Sequence, residues 1–320
     1  MAAKKLITVF GATGNQGGSV VQVFLNDPKL KNDWAVRAVT RDASKDSPKK
    51  LASEGAEVVT ANLDDKESLV KAMTGASAVF GVTNYWEKLD VELETQQGKN
   101  LADAAKDAGV DHFIWSCVKD PKKLTNGKLD KLYHFDSKAA VMEYTRELGI
   151  PATFFMAGFF MSNLPGSMFT KSPTDGAWTL NLPCPGDEAQ IPMFDTADTG
   201  KFVKAIVLNR DKLLGKEVYG ATAYMTPNQV VETFKKTFPE AGKTAKFVSL
   251  SHEEYLQSLK STGAPDYVAE EMLQNMRLLS EGGYYGFESL DESHAILEKE
   301  DKLTTWEEFL KKPEYFAGVN

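Results

Sequence analysis

Leu6-Ile7-Thr8-Val9-Phe10-Gly11-Ala12-Thr13-Gly14-Asn15-Gln16-Gly17-Gly18-Ser19-Val20-Val21-Gln22-Val23-Phe24-Leu25 decides how the rest of this chain is read. An apolar run meets glycines at three-residue spacing, and apolar residues then resume at helical spacing. That order predicts a buried strand, a glycine turn and an amphipathic helix. Gly11 permits a tight turn off the strand. Gly14 lets a pyrophosphate approach the backbone, and Gly17 lets the helix lie close to the sheet. The unpaired N–H groups and dipole of the helix N-terminus favour negative charge. In this context Gly11, Ala12, Thr13, Gly14, Asn15, Gln16 and Gly17 are expected to hold a dinucleotide.

The next strand, 34–40, ends at Arg41-Asp42-Ala43-Ser44-Lys45. In a dinucleotide fold this position meets the adenosine ribose. An acid there bonds the 2′-hydroxyl, whereas an arginine accommodates a 2′-phosphate. Arg41, with Lys45 behind it, therefore points to NADP(H), since guanidinium meets phosphate bidentately. Asp42 is a counter-signal, because a slip of one residue would put an acid at the site. A third strand, 56–60, is followed by Asn62 and Leu63, which are placed beside the adenine. Asp64 is the expected cap of a helix over 66–74. A fourth strand, 77–82, leads into Thr83-Asn84-Tyr85-Trp86. Thr83, Asn84 and Tyr85 either face the cofactor or cap the next helix.

A helix over 89–108, a strand over 111–116, a helix over 133–148 and a strand over 153–156 complete the alternation. It predicts an α/β fold of Rossmann type, a doubly wound parallel sheet with right-handed crossovers. The pattern loosens after residue 157. The expected division is a dinucleotide domain of 1–157 plus about 190–225. A smaller, mainly helical domain would comprise about 158–189 plus 226–320. Apolar positions such as Val230, Phe234, Tyr255, Leu256, Met272, Met276 and Trp306 form either its core or a partner surface.

Composition bounds the function. The 320 residues suffice for one large domain or two unequal ones. A formal charge of −8 argues against direct nucleic-acid binding, which needs a basic face. The nearly apolar run 151–161 is too short to span a bilayer, and no signal peptide is expected. Cys117 and Cys184 make neither a disulfide framework nor a metal-ligand spacing. The expected location is cytoplasmic, with the nucleus open as well.

The chemistry should sit on the fifth strand and the helix after it. A short-chain dehydrogenase places a serine on that strand and a Y-x-x-x-K pair on that helix, at one-face spacing. The ammonium lowers the phenol pKa so that tyrosine exchanges a proton near neutral pH. Here Ser116 and Lys138 are present, but the residue four before Lys138 is His134. Tyr133 is one residue off, about 100° around the helix. Lys138 and His134 are thus the candidate catalytic residues, His134 being either a cofactor neighbour or a helix residue without a ligand.

Residues 9–17, Thr83-Asn84-Tyr85-Trp86, His134-Phe135-Asp136-Ser137-Lys138 and residues 157–163 resemble the NmrA-like family of atypical short-chain dehydrogenase relatives, and especially its redox-sensor subgroup. The likeness covers most of the chain and weakens beyond Gly220. It implies a Rossmann domain, NADP(H), a missing catalytic tyrosine, and transmission of the NADPH/NADP⁺ balance to a regulatory protein partner, often a transcription regulator. It also implies that Thr83, Asn84, Tyr85, Lys138, Phe160, Met161, Ser162 and Asn163 surround the nicotinamide half, and it leaves a cofactor-dependent homodimer open. The alternative is an NADPH-dependent reductase similar to isoflavone reductases, acting through Lys138. A third reading makes the nucleotide purely structural.

Overall fold

The computed structural model describes residues 3–172, 175–316 and 319. The first six strands are β1 (Lys5–Val9), β2 (Trp34–Thr40), β3 (Glu57–Thr60), β4 (Ala78–Gly81), β5 (Phe113–Cys117) and β6 (Ala152–Ala157). Four short strands follow, β7 (Phe159–Phe160), β8 (Phe169–Lys171), β9 (Trp178–Leu182) and β10 (Ile191–Phe194), before β11 (Glu217–Gly220). The main sheet has seven strands in the order β11-β6-β5-β4-β1-β2-β3, with every neighbouring pair parallel. Its central strands are apolar and buried throughout, as a sheet covered on both faces requires. From β1 the order runs outward through β2 and β3, then restarts on the other side at β4. That reversal opens a crevice at the carboxyl ends of β1 and β4, where ligands bind in such sheets.

The flanking helices are α1 (Asn15–Asn26), α2 (Asp46–Ser53), α3 (Lys66–Met73), α4 (Val91–Asp107), α5 (Pro121–Thr125), α6 (Tyr133–Leu148) and α7 (Thr199–Leu208). In α1 the buried positions are Gly17, Val20, Val21 and Phe24, the one-sided stripe the sequence predicts. On its other side Ser19 Oγ donates to Ala197 O at 2.6 Å and accepts from Gly200 N–H at 2.9 Å. These two bonds fix α1 against α7, and so fix where its N-terminus points.

One expectation needs correction, and two features come in addition. The helix after β3 is capped by Asp65, whose carboxylate accepts from Glu67 N–H at 3.1 Å and Ser68 N–H at 3.3 Å. Asp64 accepts from Gln97 of α4 instead, at 2.9 Å. Helix α2 had no forecast. Its Pro48 falls in the first turn, where a missing N–H costs nothing. The region beyond β6 also carries strands that the sequence pattern does not announce. It carries two three-stranded sheets, β12 (Ala223–Met225)-β10-β7 and β13 (Lys246–Ser249)-β9-β8. These strands are two to five residues long and, apart from the β8–β9 hairpin, pair over long sequence separations, so periodicity carries little trace of them. The forecast core positions Val230, Phe234, Tyr255, Met276 and Trp306 are buried, while Leu256 and Met272 are half-buried.

One buried group couples this fold to pH. His112 is 1% exposed, and its Nε2 lies 2.8 Å from Thr153 Oγ1. The Thr153 hydroxyl donates to Leu213 O at 2.8 Å, so Nε2 carries the ring proton and Nδ1 is a bare acceptor. Burial, and then the Arg210 charge, lower the His112 pKa from 6.5 to about 4. The unfolded chain therefore takes up a proton that the folded chain refuses. Stability should be flat above about pH 7.5 and fall by about 3 kcal/mol as pH drops from there to about 4. Urea midpoints over that range test this, and His112→Gln should flatten the slope.

Candidate functional site

The turn between β1 and α1 has the geometry of an anion cradle. Gly11 has φ +62°, a left-handed conformation that disfavours side chains, and Gly14 N–H donates to Gly11 O at 2.9 Å. A Cβ on Gly17 would stand 2.3 Å from Gly11 O, so only glycine brings α1 this close to the strand end. The α1 N-terminus has no side-chain cap and no acidic residue in its first turn. Its first N–H groups are thus left for an incoming anion. Thr13, Gly14 and Asn15 are exposed at the rim, while Ala12 is buried beneath. Ser116 donates to Gln16 Oε1 at 2.9 Å, tying the turn to β5.

On the β2 side, exposed Arg41 donates from Nη1 to Glu87 Oε1 at 2.5 Å. Asp42 accepts from Ser44 N–H at 2.9 Å and from its hydroxyl at 2.6 Å. Those bonds hold the Asp42 carboxyl below its ordinary range and turn it onto its own loop. Both residues are exposed beyond the end of β2, Arg41 bonded across to Glu87 and Asp42 to its own loop. Lys45 is exposed at the N-cap of α2. Asn62 Oδ1 accepts from Asp64 N–H at 3.2 Å, and Leu63 O accepts from Asn100 Nδ2 at 2.8 Å. Both residues therefore sit on a braced turn beside Arg41's strand.

On the β4 and β5 side, two buried carboxylates organise the site, and neither was foreseen. Glu94 of α4 is 3% exposed. It pairs with the Lys138 ammonium and accepts from the Ser137 hydroxyl, and from Thr83 Oγ1 at 2.7 Å. Glu271 lies on the Asp266–Glu281 helix and is fully buried. It accepts from His134 N–H at 2.8 Å, His134 Nδ1 at 2.6 Å and the Tyr85 hydroxyl at 3.0 Å. A carboxylate only accepts, so Nδ1 bears the imidazole proton and Nε2 is left to act.

At the end of β4 the three residues find different surroundings. Thr83 turns its hydroxyl to Glu94 and Tyr85 turns its own to Glu271, while Asn84 is exposed and caps nothing with its side chain. Burial, and then Glu271, raise the Tyr85 pKa well above that of an ordinary phenol. The Trp86 ring packs 4.9 Å from that of His134. Past β6, Phe160 and Ser162 are half-buried, Asn163 is exposed, and the Met161 side chain is spent on the core. Glu94 left one sequence signal, an acid on the stripe Glu94-Gly98-Leu101-Ala105 that α4 buries. Glu271 left none, since His134 lies 137 residues away. Among the described residues no cluster of His, Cys, Asp or Glu could hold a metal ion, and no helix is long and apolar enough to cross a membrane.

The sequence profile of the NmrA-like family matches residues 3–310. An NmrA-like family domain-containing protein of Dictyostelium discoideum is 30% identical over 319 residues, 97% of this chain and 98% of its own length. An NmrA-like family domain-containing oxidoreductase of Malbranchea aurantiaca is 33% identical over 267 residues, 77% of this chain and 76% of its own. The crystal structure of NmrA, a negative transcriptional regulator, in complex with NADP superposes with a TM-score of 0.77 at 22% identity. It covers 97% of this chain and 95% of that one, a likeness of fold.

Proposed function

The chain belongs to the NmrA-like family, and from that premise we propose that it is an NADP(H)-binding redox sensor with little or no dehydrogenase activity. The observation that carries this reading is the pairing of Lys138 with buried Glu94, next to an imidazole where a catalytic phenol belongs. A lysine whose charge is met by a carboxylate does little to acidify a neighbouring hydroxyl. The Tyr85 phenol, bonded to Glu271, is made less acidic by its surroundings. In this reading Gly11 through Gly17 hold the pyrophosphate, and Arg41 with Lys45 the 2′-phosphate. Asn62 and Leu63 border the adenine. Lys138 serves as a ribose clamp, with Thr83, Asn84, Tyr85 and the 160–163 segment around the nicotinamide. The dinucleotide domain is 1–157 with about 190–225. The remainder meets a regulatory protein partner in the cytoplasm or nucleus, without direct contact to nucleic acid. The NADP complex and regulatory role of NmrA support this assignment.

Arg41→Ala tests the cofactor half of the proposal. Losing a charge-assisted phosphate contact should weaken NADPH binding by about 1.5–3 kcal/mol, roughly ten- to a hundredfold in Kd. NADH binding should barely change. Equal effects on the two cofactors would place Arg41 away from the phosphate.

One observation favours a second reading, an NADPH-dependent reductase. Glu271 accepts from Nδ1 of His134 and so leaves Nε2 as the atom that would pass a proton to the carbonyl oxygen as hydride reaches the carbonyl carbon. The name of the Malbranchea oxidoreductase points the same way. Steady NADPH consumption with a ketone, quinone or enone, abolished in His134→Ala, would establish it.

A further inference from the structure

Strands β2 and β4 flank β1 in the sheet, so residues just beyond their carboxyl ends face each other across the glycine turn. Arg41 follows β2, and Glu87 closes the 3-10 turn Tyr85–Glu87 that follows β4. Their ion pair joins positions 46 residues apart and spans the crevice mouth. The other two residues of that turn reach the opposite half of the site. Tyr85 bonds Glu271, and Trp86 lies against His134.

We propose that Glu87 is a specificity-determining residue, a resident anion that competes with the cofactor 2′-phosphate for Arg41. The inference rests on the reading that the crevice binds a dinucleotide. A guanidinium satisfied by one carboxylate can be taken over by a phosphate, which carries more charge and offers more acceptor oxygens. Glu87 then faces a like charge a few ångströms away and must leave. It draws on the Tyr85–Glu87 turn as it goes. A cofactor without the 2′-phosphate leaves the Arg41–Glu87 pair in place. NADP(H) and NAD(H) thus produce two different states of one turn, and the turn carries that difference toward His134 and the Asp266–Glu281 helix. The arrangement also moderates affinity, because every NADP(H) binding event displaces an ion pair.

Calorimetric titration of Glu87→Gln with NADPH and NADH, beside the parent chain, tests this. Both partners are partly exposed, with side-chain exposures of 71% and 37%, so the pair is screened and the variant should fold normally. The expected result is an NADPH Kd about three- to tenfold tighter, in keeping with an exposed ion pair and the relief of one repulsion. The NADH Kd should not move. In the Arg41→Ala background, Glu87→Gln should give a smaller gain, since the competed group is gone. With the oxidised cofactors, which do not absorb where tryptophan emits, Trp86 emission should respond to NADP⁺ and not to NAD⁺, and Trp86→Phe should remove that difference. An unchanged NADPH Kd in Glu87→Gln, or equal changes for both cofactors, would overturn the proposal while leaving the dinucleotide reading intact. Failure of the parent chain to bind either cofactor would overturn both.

Discussion

Glu94→Ala is expected to lower stability by about 3–5 kcal/mol, because it breaks a buried ion pair from one side. Glu94 is 3% exposed and meets Lys138, Ser137 and Thr83 together. Its removal leaves an ammonium, with a side chain only 17% exposed, facing two hydroxyls and a new cavity. The uncompensated charge is the largest part of the cost. Glu94→Gln keeps the shape and should cost less, although its amide can turn a donor toward the ammonium. Adding Lys138→Met to Glu94→Ala should recover much of the loss, since an unpaired charge costs more than an absent pair. Urea unfolding of the three variants measures each term. A loss below about 1 kcal/mol for Glu94→Ala would show the pair to be solvent-screened, and the proposed clamp role of Lys138 would lose its structural basis.

Gly17→Ala should act on fold and cofactor together. The added Cβ would lie 2.3 Å from Gly11 O, 2.5 Å from Gly11 C and 2.7 Å from Phe10 O. All three atoms are backbone, so no rotamer relieves the contact. Helix α1 must retreat from the strand end, and its Ser19 bonds to α7 resist that shift. Overpacking at so rigid a contact should cost about 3 kcal/mol. NADPH affinity should fall at least roughly tenfold as the N-terminal N–H groups move off the phosphates. Gly18→Ala is the control. Its Cβ would meet Ala12 O at 3.4 Å, an ordinary contact, and alanine favours a helix. It should leave both stability and affinity nearly unchanged. Equal behaviour of the two variants would mean that α1 does not press on the turn.

Local chemistry was legible in the sequence, and long-range partnership was not. Strand β2 and helix α6 have the limits their patterns predict, and α6 stops where Gly149 takes φ +71°. The glycine turn, the basic residue after β2 and the histidine in place of tyrosine are all local facts of the sequence. Asp42 looked like a rival to Arg41 because a sequence gives position but not direction. Its two bonds to Ser44 are the direction that position alone does not give. Glu271 and Glu87 became visible only through partners far away along the chain. The small sheets escaped for the same reason. Strand β13 pairs with β9 across more than sixty residues, and nothing in four residues announces a distant partner.

The measurement that tests the central claim most directly is calorimetric titration of the purified protein with NADPH, NADP⁺ and NADH, read beside NADPH absorbance over hours with a panel of ketones, quinones and enones. The account predicts selective binding of NADP(H) over NADH and no appreciable loss of absorbance. Steady consumption with one class of compound would contradict it and make this protein a reductase. Equal affinity for NADPH and NADH would contradict the role given to Arg41.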